Sequence, residues 1–183
     1  AGPFYDAEQD KMLGGVINTY STLAFAETTF SVLRNERRIG DVSELNRRST
    51  ANREAIAGWI ARNPLLELSV ADAGRRGAAV TLIRVSDPDI ADPAMHARII
   101  ARSKQLLGYE GLTHPDGSHE AGLDVARYVN AFPGTPGDYR AWIGGIRAPE
   151  SVIALLENLK YAYLRGKALV LEEELAALGH SHG

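Results

Sequence analysis

The chain has 183 residues, 45% hydrophobic and 23% charged, with a net charge of −3 and no cysteine. That length supports one domain with a proper core, or a small domain with an extension. The mildly acidic balance argues against a dedicated nucleic-acid binder, which would carry a basic face, and the missing cysteines exclude disulfides and thiolate metal sites. No charged start leads into an apolar run, so no secretory leader is expected. No stretch approaches the roughly 20 apolar residues that cross a bilayer. These features together predict a cytoplasmic protein that engages neither membrane nor nucleic acid.

Residues 1 to about 15 carry Gly2, Pro3, Gly14 and Gly15 without a clear period and read as an irregular lead-in. From Ser21 onward Leu23, Phe25, Ala26, Phe30 and Leu33 recur at threes and fours, which predicts a helix with Asn18, Thr19 and Ser21 as candidate caps. Gly40 breaks that run. A second helix follows from a Ser43 cap, with Leu45, Ile56, Trp59 and Ile60 on one side, and stops before Asn63-Pro64. Residues 66–70 alternate like a strand, residues 73–77 read as a turn, and residues 78–85 form a second strand, so the pair suggests a hairpin. Asp87-Pro88 and Asp92-Pro93 punctuate a loop, and Asp92 or Pro93 starts a helix reaching about Leu107.

Residues 108–122 are rich in turn formers. Residues 123–129 and 139–143 then read as the third and fourth strands. Pro149 opens a helix with Val152, Leu155, Leu156, Leu159 and Tyr163 on one face, and residues 167–178 look like an additional helix ended by Gly179. The order strand, strand, helix, strand, strand, helix predicts an α+β fold with a mostly antiparallel four-stranded sheet covered by helices.

Three sets of residues have chemical potential. Asn18, Thr19, Ser21 and Thr22 gather at a helix start, where unpaired amides and the positive dipole end suit a phosphate; simple capping explains the same residues. Arg140 and Trp142 lie two apart on a strand and so leave the same face, where a guanidinium could grip a carboxylate bidentately beside a shielding indole. An arginine lying over an aromatic on a sheet surface explains that pair equally. Arg75, Arg76 and Arg127 could also hold anions, although solvated charge is the simpler reading. His114, Asp116, His119 and Glu120 share a loop, but their spacing matches no metal-site template, and no metal is expected. The chain has no GxSxG, P-loop or GxGxxG motif.

Taken in order, these stretches resemble phosphoserine aminotransferase, a class V, fold-type I enzyme that uses pyridoxal 5'-phosphate. The likeness runs from just before Asn18 to about Tyr163. It rests on Asn18-Thr19 entering a long helix, the segment Asn46 to Trp59, the strand from Arg75 to Val80 ending near Asp87-Pro88, Arg140-Ala141-Trp142, and Pro149-Glu150 opening a helix. The resemblance implies that Asn18 and Thr19 bind the cofactor phosphate of the partner subunit across a homodimer interface. It further implies that Arg140 holds the substrate α-carboxylate and that Arg127 lies near the substrate phosphate. The family's cofactor-bearing lysine precedes the Asn-Thr stretch by tens of residues. Lys11 has the wrong context for it, and Lys104, Lys160 and Lys167 fall on predicted helices, so no catalytic residue is assigned.

The resemblance therefore implies a C-terminal portion of an enzyme of serine biosynthesis, inactive by itself, acting on amino-acid and 2-oxo-acid substrates. Its expected organisation is a lead-in at 1–20 from a missing large domain, interdomain helices at 21–63, a small C-terminal domain at 64–166, and a helix with a disordered tail at 167–183. The alternative is a non-catalytic α+β binding or dimerisation module derived from the same small domain.

Overall fold

The structure, a computed structural model, describes residues 5–6, 11–12, 22–77, 79–114, 116–129 and 138–180. Two compact units divide the chain, Ala1–Val42 and Ser43–Gly183. The first holds a short antiparallel pair, β1 (Tyr5–Asp6) and β2 (Lys11–Met12), and the helix α1 (Thr22–Ile39). The expected helix forms, and of the stripe's described side chains Ala26 is half-buried while Phe30 and Leu33 are exposed. Asn18, Thr19 and Ser21, the candidate caps and phosphate ligands, lie outside the described residues.

The second unit starts within α2 (Val42–Ala61), which has turned helical one residue before the expected Ser43 cap. Glu44 in its first turn suits the positive helix end and accepts hydrogen bonds from Arg47 and Arg48, which hold its carboxyl down at about 2. The expected hairpin follows. β3 (Leu66–Leu68) pairs antiparallel with β4 (Val80–Val85), joined through a 3-10 turn at Ala73–Arg75 that Asp72 caps. Then come α3 (Pro93–Leu107), β5 (Leu112–Thr113), β6 (His119–Glu120), α4 (Ala126–Val129), β7 (Tyr139–Trp142) and α5 (Pro149–His180). Asp92 caps α3 as expected, accepting from the amides of Ala94 and Met95 ahead of Pro93. β5 and β6 make a small antiparallel hairpin inside the turn-rich stretch.

Helix and sheet are mixed, compatible with an α+β class, but the sheet differs from expectation. It has three strands in the order β3-β4-β7, antiparallel throughout. Residues 123–129 supply no fourth strand. The amides of Leu123 and Val125 donate to the last carbonyls of α3, Leu106 and Leu107, so this stretch caps a helix end and then turns into α4. Residues 167–178 are likewise not a separate helix, because α5 runs through them without a break. Gly166 does not interrupt it: a Cβ there would lie 3.0 Å from the Ile99 carbonyl, so the glycine allows α3 and α5 to touch at backbone distance.

One apolar cluster fills the second unit. Ile56 and Trp59 of α2, Ile83 and Val85 of β4, Ile99 and Leu106 of α3, Tyr139 of β7, and Leu156, Leu159 and Val170 of α5 all belong to it. Side chains alternate along β7, so Tyr139 and Ala141 are buried while Arg140 and Trp142 leave the opposite face. The turn after β7 docks on α2. Asn52, fully buried, donates from Nδ2 to the carbonyls of Ile143 and Arg147 at 2.9 and 3.1 Å, and Ser49 accepts from the Gly145 amide. A Cβ on Gly145 would lie 2.3 Å from the Leu45 carbonyl, so only glycine lets this turn sit so close.

Candidate functional site

The residues that could recognise a ligand stand on the sheet face turned away from the core. Register pairs Arg140 with Leu82 and Trp142 with Val80, and the next pair along β4 and β3 on that face is Arg84 with Glu67. The guanidinium carbon of Arg140 lies 4.8 Å from the Trp142 ring centroid. Arg84 donates from Nη1 to Glu67 Oε1 at 3.2 Å. A guanidinium stacked on an indole directs its N–H groups to its edge, and an edge of that kind can meet a carboxylate with two parallel hydrogen bonds. Leu82 and Val80, both half-buried, lower the local polarity around that edge.

Other candidates have structural partners. Arg76 donates from Nε and Nη2 to the carbonyls of Val70 and Ala71, which staples the turn between β3 and β4. Arg75 lies 3.4 Å from Asp72 at the surface. Arg127 falls in α4 rather than on a strand, and its side chain lies outside the described residues. Arg147, which the sequence did not single out, stacks 3.9 Å above the Tyr128 ring. In the loop hairpin His114 lies 3.4 Å from Glu120, and His119 pairs with Thr113. Among the described residues no group of three or more His, Asp or Glu is placed to hold a metal.

Two polar clusters are built by partners that sequence reading did not connect. Asp87, its side chain fully buried, accepts from Tyr163 and Lys167 at 2.7 and 2.8 Å, and Lys167 also reaches Asp89 at 3.0 Å. Burial pushes the Asp87 carboxyl up, but the Lys167 and Tyr163 hydrogen bonds outweigh it and hold it below the usual carboxylate range. Glu120 similarly accepts from Tyr161 and from two N–H groups of Arg165, pinning the β5-β6 hairpin to α5. Partners 41 to 80 residues apart leave no local signal.

Pyridoxal phosphate needs a lysine with its amine open to the cofactor aldehyde, and the side chain of Lys11 lies outside the described residues. Lys104 lies 5.8 Å over the Tyr139 ring, Lys160 donates to Asn63, and Lys167 is held between Asp87 and Asp89. Each of these three lysines thus has a partner within the chain. No protein-family model matches the chain, and searches of the curated proteins and of the solved structures likewise find no match. Among the described residues no helix is long and apolar enough to cross a membrane.

Proposed function

We propose that this chain is the C-terminal part of a cytoplasmic, homodimeric aminotransferase of the phosphoserine type, and that Arg140 holds the α-carboxylate of its substrate. The complete enzyme would exchange an amino group between phosphoserine and 2-oxoglutarate using pyridoxal phosphate, with the cofactor lysine on a part of the enzyme outside this sequence. Asn18 and Thr19 would meet the cofactor phosphate of the partner subunit, and Arg127 the substrate phosphate; these three roles rest on the family resemblance alone. The observation that supports the reading is the Arg140 guanidinium over Trp142 on the outward sheet face, with Leu82 and Val80 beside it.

Tryptophan fluorescence of this chain tests the site, since Trp142 is 41% exposed while Trp59 is buried and bonded to Glu157. Titration with phosphoserine or glutamate should change the Trp142 signal saturably, and Arg140→Ala should remove the response. An equal response in the variant would contradict the assignment. Pyridoxal phosphate with borohydride trapping should give no adduct at a single lysine; a specific adduct would place a working cofactor site in this chain.

A second reading, a non-catalytic binding or dimerisation module, draws support from the engaged lysines and from Phe30, Val32 and Leu33 exposed on α1. It is favoured if neither amino acid changes the Trp142 signal.

A further inference from the structure

α5 carries two apolar faces on opposite sides. Leu155, Leu159, Ala162, Tyr163 and Val170 form one, and they are buried in the core. The other consists of Tyr161, Leu164, Ala168, Leu171, Leu175 and Leu178, at successive spacings of 3, 4, 3, 4 and 3 residues. At about 100° per residue these six lie roughly opposite the core stripe. They are turned to solvent: Leu175 is 69% exposed and Leu178 60%, with Tyr161, Leu164 and Leu171 also exposed. Folding of the second unit does not account for an outward seam of this kind. An alternation of threes and fours is the period of a helix that winds around another helix, because it keeps an apolar seam facing a partner along its whole length.

We propose that this seam pairs with the same seam of a second copy of the chain, as a short antiparallel two-helix coiled coil. The inference stands apart from the aminotransferase reading and uses no residue of the Arg140 face.

Two features select the occupant and its direction. Charge divides along the helix: Lys160, Arg165 and Lys167 flank the first half of the seam, and Glu172 and Glu174 flank the second. Antiparallel pairing with Ala168 opposite Leu171 of the second copy brings each Arg165 beside the other copy's Glu172. Arg165 gives Nε and Nη2 to Glu120 within its own chain and stays 39% exposed; Glu172 is exposed. Parallel pairing in register instead sets Lys160 beside Arg165 of the other copy, a like-charge contact, and its one opposite-charge pair, Lys167 with Glu172, would use an ammonium that Asp87 and Asp89 already hold. Size agrees with charge. The antiparallel arrangement matches small Ala168 with Leu171 in the two central layers, whereas the parallel one opposes Ala168 to Ala168 and leaves a gap. A two-fold pairing of this kind is self-complementary and closes at two copies. The helix is already built and anchored to α3, so pairing does not have to supply the cost of forming it.

Sedimentation equilibrium of the whole chain across a concentration series tests the proposal. The expected result is a monomer–dimer equilibrium. Leu175→Lys should weaken it roughly tenfold or more, with an unchanged thermal midpoint at dilutions where both proteins are monomeric. Direction is read by disulfide formation, since the chain has no cysteine of its own. A mixture of Leu164→Cys and Leu175→Cys chains should cross-link between unlike chains, and Leu178→Cys alone should cross-link poorly. A chain that stays monomeric up to about 0.5 mM overturns the proposal. So does a dimer that Leu175→Lys leaves intact, as it would if the exposed Phe30 and Leu33 of α1 formed the contact instead. Leu178→Cys self-linking faster than the 164/175 pair overturns the antiparallel direction.

Discussion

The two faces of the β3-β4-β7 sheet are built from the same strands and do different work. On the core face Thr81, Ile83, Val85, Tyr139 and Ala141 are all buried, whereas on the other face Val80, Leu82, Arg84, Arg140 and Trp142 are all at least partly open. Strand alternation alone separates them, since neighbouring side chains leave opposite sides. Two polar groups on the core side and at its margin are tied within the protein: Tyr139 bonds to Ser103, and Asp138 just before it accepts from the Val85 amide and pairs with His96. On the outward side a cation and an indole stack on one another. The difference teaches that substitutions on the inner side should cost folding, while those on the outer side should cost recognition with little loss of stability.

The sharpest way to break that comparison is at Asp87. Asp87→Ala leaves Tyr163 without its acceptor and Lys167 with Asp89 alone, and removing one partner of this buried ion pair should cost about 3 kcal/mol, the low end for such pairs. Urea unfolding should show this loss. The same carboxylate predicts an acid dependence. Its folded pKa lies below the ordinary carboxylate value near 4, so its contribution is complete above that pH and fades as the pH falls through the folded value. Glu120, whose pKa is also lowered, acts in the same direction. Asp87→Asn should therefore flatten part of the fall in stability on the acid side of about pH 4, measured by denaturation at a series of pH values.

Gly145→Ala comes next. Its Cβ would meet the Leu45 carbonyl and Ser49 Oγ at 2.3 and 2.9 Å, and forcing the turn away from α2 should cost about 1–3 kcal/mol in thermal unfolding. Asn52→Ala probes the same junction from the helix side. It strips hydrogen bonds from the Ile143 and Arg147 carbonyls and should cost about 1–3 kcal/mol. The smallest stability effect belongs to the outer face. Arg140→Ala should change stability by no more than about 1 kcal/mol, the scale of an exposed cation–π contact, while removing the fluorescence response to amino acids. A loss as large as that at Asp87 would show that this face is structural and erase the distinction between the two.

Much of the frame is legible in the residue order, and the reasons are local. Periodic apolar spacing between Ser21 and Gly40 marks α1, Asp92-Pro93 marks the start of α3, and alternation across the turn at 73–77 marks the β3-β4 hairpin. The shared face of Arg140 and Trp142 follows from a two-residue spacing on a strand, so the centre of the candidate site could be read before any coordinate. Its neighbours Leu82 and Val80 could not, because they arrive through the pairing register of a strand nearly sixty residues away.

What the sequence by itself determined, then, is the set of elements whose signals lie within a few residues: helix stripes, caps, one hairpin and the facing of β7. Tertiary structure alone decided the rest. Residues 123–129 alternate like a strand, yet their amides meet the exposed carbonyls at the end of α3 and the segment turns into α4. Residues 167–178 read as a separate helix, yet α5 runs through them, with Gly166 allowing α3 to lie at backbone distance. Asp87 reads as loop punctuation, yet it becomes a buried anchor because Lys167, 80 residues later, is brought to it by the packing of α5. Each of these outcomes is set by which distant groups satisfy a backbone or a charge, and that satisfaction exists only once the chain has folded.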